Sequence, residues 1–137
     1  MASHQPHERL VFVDLETAGL ETWRPIIQIA AVAVTSSLTE LESFERKLLF
    51  NRRFACPASL HKNNFSWERW QREGQRPKVV AKEFSEFLRR HATLDLRSAD
   101  GRTYQVAQLV AHNAAFDGGF LQAWFERLCC RAPRHVA

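Results

Sequence analysis

An α/β domain, in which a three-strand antiparallel meander leads into flanking helices and a further strand–helix unit, is predicted by three observations. Apolar runs at residues 10–13 and 26–34 are short, rich in Val, Ile and Ala, and read as strands. The first connections are too short to hold crossover helices, so the strands should pair antiparallel. Farther on, Val80, Phe84, Phe87 and Leu88 recur at i, i+4, i+7 and i+8, the stripe of a core-facing helix.

Each element has its own signal. Leu10-Val11-Phe12-Val13 reads as a fully buried strand running into Asp14. Gly19 marks a turn, and Trp23-Arg24-Pro25 extends the loop. Residues 26–35 (IIQIAAVAVT) are apolar on both faces and so form a central strand. Ser36-Ser37 turns the chain into a third strand at 38–50, with mixed alternation at Leu41, Phe44, Leu48 and Phe50. Residues 51–64, with Pro57 and Asn63-Asn64, read as irregular. Ser66 caps a short helix through Trp67, Trp70 and Glu73 that Gly74 stops. Pro77 suits the first turn of a longer helix reaching about His91. Asp100-Gly101 lies between alternating segments and predicts a hairpin. Leu109-Val110-Ala111 is a short strand, and a helix follows from about Ala114 to Cys129 with Asn113 as its cap.

Composition bounds the possibilities. A chain of 137 residues with 45% apolar content suits one core, placed at residues 10–128 between a flexible N-terminus (1–9) and a tail (129–137). No apolar run could span a bilayer, and residues 1–9 are polar, without a signal core, so a cytoplasmic protein off the membrane is expected. Cys56 is isolated, Cys129 and Cys130 are adjacent, and no Cys-x-x-Cys pair suggests zinc. Nineteen Lys and Arg against fifteen Asp and Glu leave a charge of +4. That fits a polyanion partner or, equally, a solvated basic face at Arg46, Lys47, Arg52 and Arg53 and at Lys78, Lys82, Arg89 and Arg90.

The chemistry concentrates in three acids. Asp14 and Glu16 stand at i and i+2 of a strand, which places both carboxylates on one side. Like charges held close need a positive group between them, and oxygen-only ligands favour Mg2+ or Mn2+. The plainer reading is an Asp ending a strand and a Glu in a solvated turn. Asp117 precedes Phe120 and Leu121 by three and four residues, so it falls on the apolar face of its helix, in about the first turn. A carboxylate there needs a cation or a donor, and the helix N-terminus alone offers about 0.3–1 kcal/mol. Gly118 and Gly119 cost the helix about 1 kcal/mol each against Ala, and they either admit a close approach or loosen the first turn.

The chain resembles the 3′–5′ exonucleases of the DEDD superfamily, which include DNA polymerase III epsilon-type proofreading domains and RNase T. Phe12-Val13-Asp14-Leu15-Glu16-Thr17-Ala18-Gly19-Leu20 is similar to the first motif, and Ile26-Ile27-Gln28-Ile29-Ala30-Ala31-Val32 to the second strand. Val110-Ala111-His112-Asn113-Ala114-Ala115-Phe116-Asp117 is similar to the second motif. The resemblance covers residues 10–128 and implies an RNase H-like mixed sheet that opens on the meander. It implies two metal ions about 3.5–4 Å apart, Mg2+ or Mn2+, with Asp14 bridging both, Glu16 on the nucleophile side and Asp117 on the second. Thr17, Gly19 and Leu20, with His112, Asn113 and Phe116, would line the site of the terminal nucleotide. Leu20 would pack on its base, and Asn113 would cap the helix and position Asp117. The implied reaction releases nucleoside 5′-monophosphates from a single-stranded DNA or RNA 3′ end. DNA is the expected substrate, as in proofreading or repair, and a polymerase is an implied partner.

The family also uses a third motif, His-x-x-x-x-Asp or Tyr-x-x-x-Asp, downstream of the second. No Asp follows Asp117. His112 and Asp117 match that spacing literally but fall inside the second motif, where His112 is expected to be buried at a strand end. The expectation is therefore a sheet incomplete at its C-terminal end, in a chain truncated before the ligand and base that complete catalysis. The alternative is an inactive nucleic-acid- or protein-binding remnant of the same fold using the basic face with Trp67 and Trp70, although those tryptophans suit a core better.

Overall fold

Burial alternates along β1 (Arg9–Thr17), and this sets the architecture. Val11, Val13 and Leu15 are buried, whereas Phe12, Asp14 and Glu16 take the opposite face. The strand is therefore half-buried, not fully buried as its apolar run suggests. Phe12 is 40% exposed, because its face opens onto a depression of about 670 Å³ while helices cover the other. The computed structural model describes residues 7–129, so residues 1–6 and 130–137 of the two expected tails lie outside the described residues.

β2 (Ile26–Thr35) pairs antiparallel with β1 and with β3 (Glu40–Lys47), which is the expected meander with β2 inside it. β3 is shorter than the sequence suggests. Leu38 sits in the preceding turn at φ 67°, and beyond Lys47 the Leu48 N–H still donates to the Ile27 carbonyl at 2.8 Å but Leu48 bridges to Gln75, so the regular ladder stops at both ends. β6 (Gln108–Val110) lies parallel to β1, with Leu10 opposite Gln108 and Phe12 opposite Val110. The sheet is thus mixed, in the order β3-β2-β1-β6. β4 (Leu94–Arg97) and β5 (Thr103–Val106) form the separate hairpin, turned through Gly101 at φ 87°.

Among the described residues, four α-helices follow from local signals. α1 (Pro57–Lys62) occupies part of the stretch that read as irregular: Pro57 starts the helix instead of breaking it. It stops at Asn63, and Asn64 turns left-handed at φ 51°. α2 (Trp67–Glu73) is capped by the Ser66 hydroxyl accepting from the Arg69 N–H. α3 (Pro77–Arg90) buries Val80, Phe84, Phe87 and Leu88, the predicted stripe. α4 (Ala114–Cys129) runs to the residues expected of it.

One core joins α3 and α4 to the sheet. Phe84 meets Phe44 of β3 at 5.1 Å and Phe125 of α4 at 6.3 Å, while Phe120, Leu121 and Trp124 lie in the same cluster as Val11, Val13 and Leu15. A smaller cluster gathers Ala18, Ile27 and Trp70 with Phe50, Leu60 and Phe65 against it. Trp70 is buried, and its indole N–H donates to the Ile27 carbonyl at 3.0 Å. Trp67 is half-buried beside Phe65 at 4.8 Å, so both tryptophans serve the core.

Candidate active site

The strand β1 delivers two carboxylates and the start of α4 delivers the third. Asp14 lies opposite Ala30 and Glu16 opposite Gln28, one pleat apart on the open face of the sheet. β6 ends level with Phe12, so the chain that leaves it for α4 passes the level of Asp14. Asn113 secures that exit: its Oδ1 accepts from the Phe116 N–H at 3.3 Å, and its carbonyl accepts from the Asp117 N–H at 3.0 Å. Asp117 is half-buried there, and Phe116 packs on Phe120 at 4.8 Å.

Electrostatics link the three acids through Asp14. Burial pushes the Glu16 carboxyl above its ordinary pKa, and the Asp14 charge pushes it further. Asp117 is raised in the same way, first by burial and then by Asp14, with His112 acting in the opposite direction. Among the described residues, no three His, Cys, Asp or Glu side chains close around a point that could hold a metal ion. The donor set nevertheless suits a hard divalent cation by its chemistry. It offers carboxylate oxygens only, and the Asp14 charge raises the proton affinity of Glu16 and of Asp117, a repulsion that a cation would relieve.

The loop after β1 forms the neighbouring cleft, of about 330 Å³, lined by Glu16, Thr17, Gly19 and Leu20 on one side and Ser59, Lys62 and Asn63 on the other. Leu20 is 80% exposed. Thr17 is buried, and its hydroxyl donates to the Gly19 carbonyl at 2.7 Å, so it shapes the turn. A Cβ at Gly19 would fall 2.1 Å from Arg24 Cδ, so a side chain there would displace Arg24 from the loop. Arg24 folds over it to reach Glu21 at 2.6 Å and the Phe54 carbonyl at 3.1 Å. From α4, Arg127 donates to the carbonyls of Thr22 and Arg24 at 2.8 and 3.3 Å.

His112 departs from its expected place. It is exposed, at the rim of the depression that Asp14 and Phe12 also line, because β6 ends two residues earlier and releases the chain to the surface. Sequence reading missed Arg24 and Arg127, which hold the loop, and Ser59, Lys62 and Asn63 in the cleft. Pro57 followed by five residues without a further proline or glycine was the signal for the helix that brings the last three there.

Comparison with solved structures finds the same fold in exonuclease I. The Escherichia coli enzyme in complex with a dT13 oligonucleotide matches with a TM-score of 0.69 at 14% identity, over 88% of this chain and 24% of that one. Its complex with a dA16 oligonucleotide gives 0.69 at 15% identity, over 88% and 24%. The chain thus spans about a quarter of these exonuclease I chains, and at such identity the likeness is one of fold alone, α/β and RNase H-like. No curated protein sequence matches. Residues 9–136, nearly the whole chain, match the family described as the 3′–5′ exoribonuclease Rv2179c-like domain. The chain belongs to that family.

Proposed function

We propose that this chain is a metal-dependent 3′–5′ exonuclease domain acting on single-stranded nucleic acid, with Asp14, Glu16 and Asp117 as its cation ligands. One observation carries the reading: β1 sets Asp14 and Glu16 one pleat apart on the open face of the sheet, and the parallel strand β6 leads past their end of β1 into the first turn of α4, which bears Asp117. In this reading the three carboxylates hold Mg2+ or Mn2+, and such ions supply a nucleophilic water and charge neutralisation at the scissile phosphate. The chain's own residues bind and orient the strand. Leu20 offers an exposed apolar surface to the terminal base, and the fixed turn of Thr17 and Gly19 lines the floor beside it. Asn113 holds the start of α4, and with it Asp117, in place, while Phe116 anchors that turn to the core. His112 stands exposed at the rim of the same depression as Asp14, where it can face the strand.

The family description names exoribonucleases, which favours RNA over the DNA that the sequence alone suggested, while the exonuclease I complexes above hold deoxyoligonucleotides. A 5′-labelled RNA and the matching DNA, each incubated with the protein and Mg2+, test both points at once. RNA is expected to shorten one nucleotide at a time from its 3′ end and to do so faster than DNA, and Asp14→Ala to slow it by at least about 100-fold. Cleavage that survives Asp14→Ala would remove the assignment. A second reading is favoured because, among the described residues, no three His, Cys, Asp or Glu side chains close around a metal-sized point: a form of the fold that binds nucleic acid without turnover. Binding of the labelled strand without shortening would select it.

A further inference from the structure

The positive charge of this chain is concentrated in one segment. Residues 51–78, which run from the end of β3 to the start of α3, hold seven Lys and Arg against two Glu, a net of +5, while the whole chain carries +4. All seven are exposed, and among the described residues none has an acidic partner within ion-pair distance. One of the two glutamates, Glu73, is already engaged by Lys47 from β3 at 3.1 Å. An ordinary solvated surface interleaves its signs, whereas this one is nearly of a single sign.

The segment is also fixed, and fixed next to the acids. The Cys56 N–H donates to the Ala18 carbonyl at 2.6 Å, and Asn63 Nδ2 to the Thr17 carbonyl at 3.1 Å, so both ends of α1 are fastened to the chain just after Glu16. Trp70 fastens α2 to β2 through Ile27. Lys62 thereby lines the same cleft as Glu16 and Leu20. Beyond it, Arg69 and Arg72 stand three residues apart, on one exposed side of α2. The site floor bears three carboxylates that repel a polyanion, so a strand reaching it needs a compensating positive surface close by.

Building on the nuclease reading, we propose that residues 51–78 are the track that carries the phosphate backbone of the incoming single strand to the cleft. Lys62 is its contact nearest the acids, and Arg69 with Arg72 grips nucleotides farther upstream. A nucleic acid is favoured over an acidic protein because the basic wall opens directly onto the cleft of Glu16, where Leu20 is exposed for a base.

Fluorescence anisotropy of a labelled 12-nucleotide single strand, measured in chelator over a series of salt concentrations, tests this without turnover. Each phosphate contact contributes about 0.7 to the slope of log affinity against log salt. Lys62→Gln is expected to lower the slope by about 0.7, and Arg69→Gln with Arg72→Gln by about 1.4. Lys82→Gln with Arg89→Gln, an equal loss of exposed charge on α3, is expected to leave it unchanged. Equal losses in the α2 and α3 pairs, an unchanged slope in the segment variants, absence of binding by the unaltered protein, or equal competition by polyglutamate would each overturn the track. The nuclease reading fails separately, if cleavage survives Asp14→Ala while the track variants still lose binding.

Discussion

Asp14 is central to the proposed site, because its charge raises the proton affinity of Glu16 on its own strand and of Asp117 on α4. Its position was legible from strand alternation alone, and its exposure was not: the apolar run around it hid a half-open strand. A different pair of groups governs the far end of the sheet. Glu42 accepts from Arg90 and stands 3.0 Å from Nε2 of buried His91, whose Nδ1 lies 3.1 Å from the guanidinium of Arg9. Arg9 can only donate, so Nδ1 accepts and the ring proton sits on Nε2, facing Glu42. The Arg90 hydrogen bond, ahead of the one from His91, holds Glu42 below its ordinary pKa. A depressed carboxylate contributes stability above its unfolded pKa and loses it as pH falls through the folded value. Glu42→Gln should therefore cost roughly 0.5–1 kcal/mol at pH 7, as for a partly exposed pair. In urea melts, the gap between variant and parent should begin to narrow as pH falls below about 4. A gap that stays constant over the whole acid range would show that packing, not charge, sets the effect.

At the scale of elements, the helices with a stripe or a cap were read correctly from sequence: α3 from Val80, Phe84, Phe87 and Leu88, α2 from Ser66, and α4 from Asn113. The one missed, α1, buries no residue completely and spans under two turns, so it carries no periodicity to detect. It is held instead by tertiary hydrogen bonds to Thr17 and Ala18, which local pattern cannot show. The paired glycines of α4 also separate only in three dimensions. A Cβ at Gly119 would meet Thr22 Cγ2 at an ordinary 3.6 Å, and one at Gly118 would meet nothing. Gly118→Ala should therefore stabilise the protein by about 0.5–1 kcal/mol in thermal or urea unfolding. If cleavage falls while stability rises, Gly118 keeps space beside Asp117 for the strand. If stability falls, the account of an open helix face is wrong.

Across the whole molecule, the sheet brings together what the sequence keeps far apart. The parallel pairing of β6 with β1 places the start of α4 beside Asp14, while α3 and α4 bury the opposite face of the strand. The fold was legible because its strands are short, apolar and closely connected. The proposed grouping of Asp117 with Asp14 and Glu16 came from the family motifs, since no local rule pairs Asp14 with Asp117. The cleft wall from α1 and the charge of residues 51–78 became meaningful only once the topology set them beside Glu16.

The central claim, that Asp14, Glu16 and Asp117 form one cation site, is tested most directly by Mn2+ binding to the unaltered protein and to Asp14→Asn and Asp117→Asn. Electron paramagnetic resonance of free Mn2+ reads binding without requiring turnover. Each substitution is expected to weaken Mn2+ binding by at least about tenfold, although the two residues lie on different elements. Unchanged binding in Asp117→Asn, with binding lost in Asp14→Asn, would show that α4 contributes no ligand and contradict a shared site.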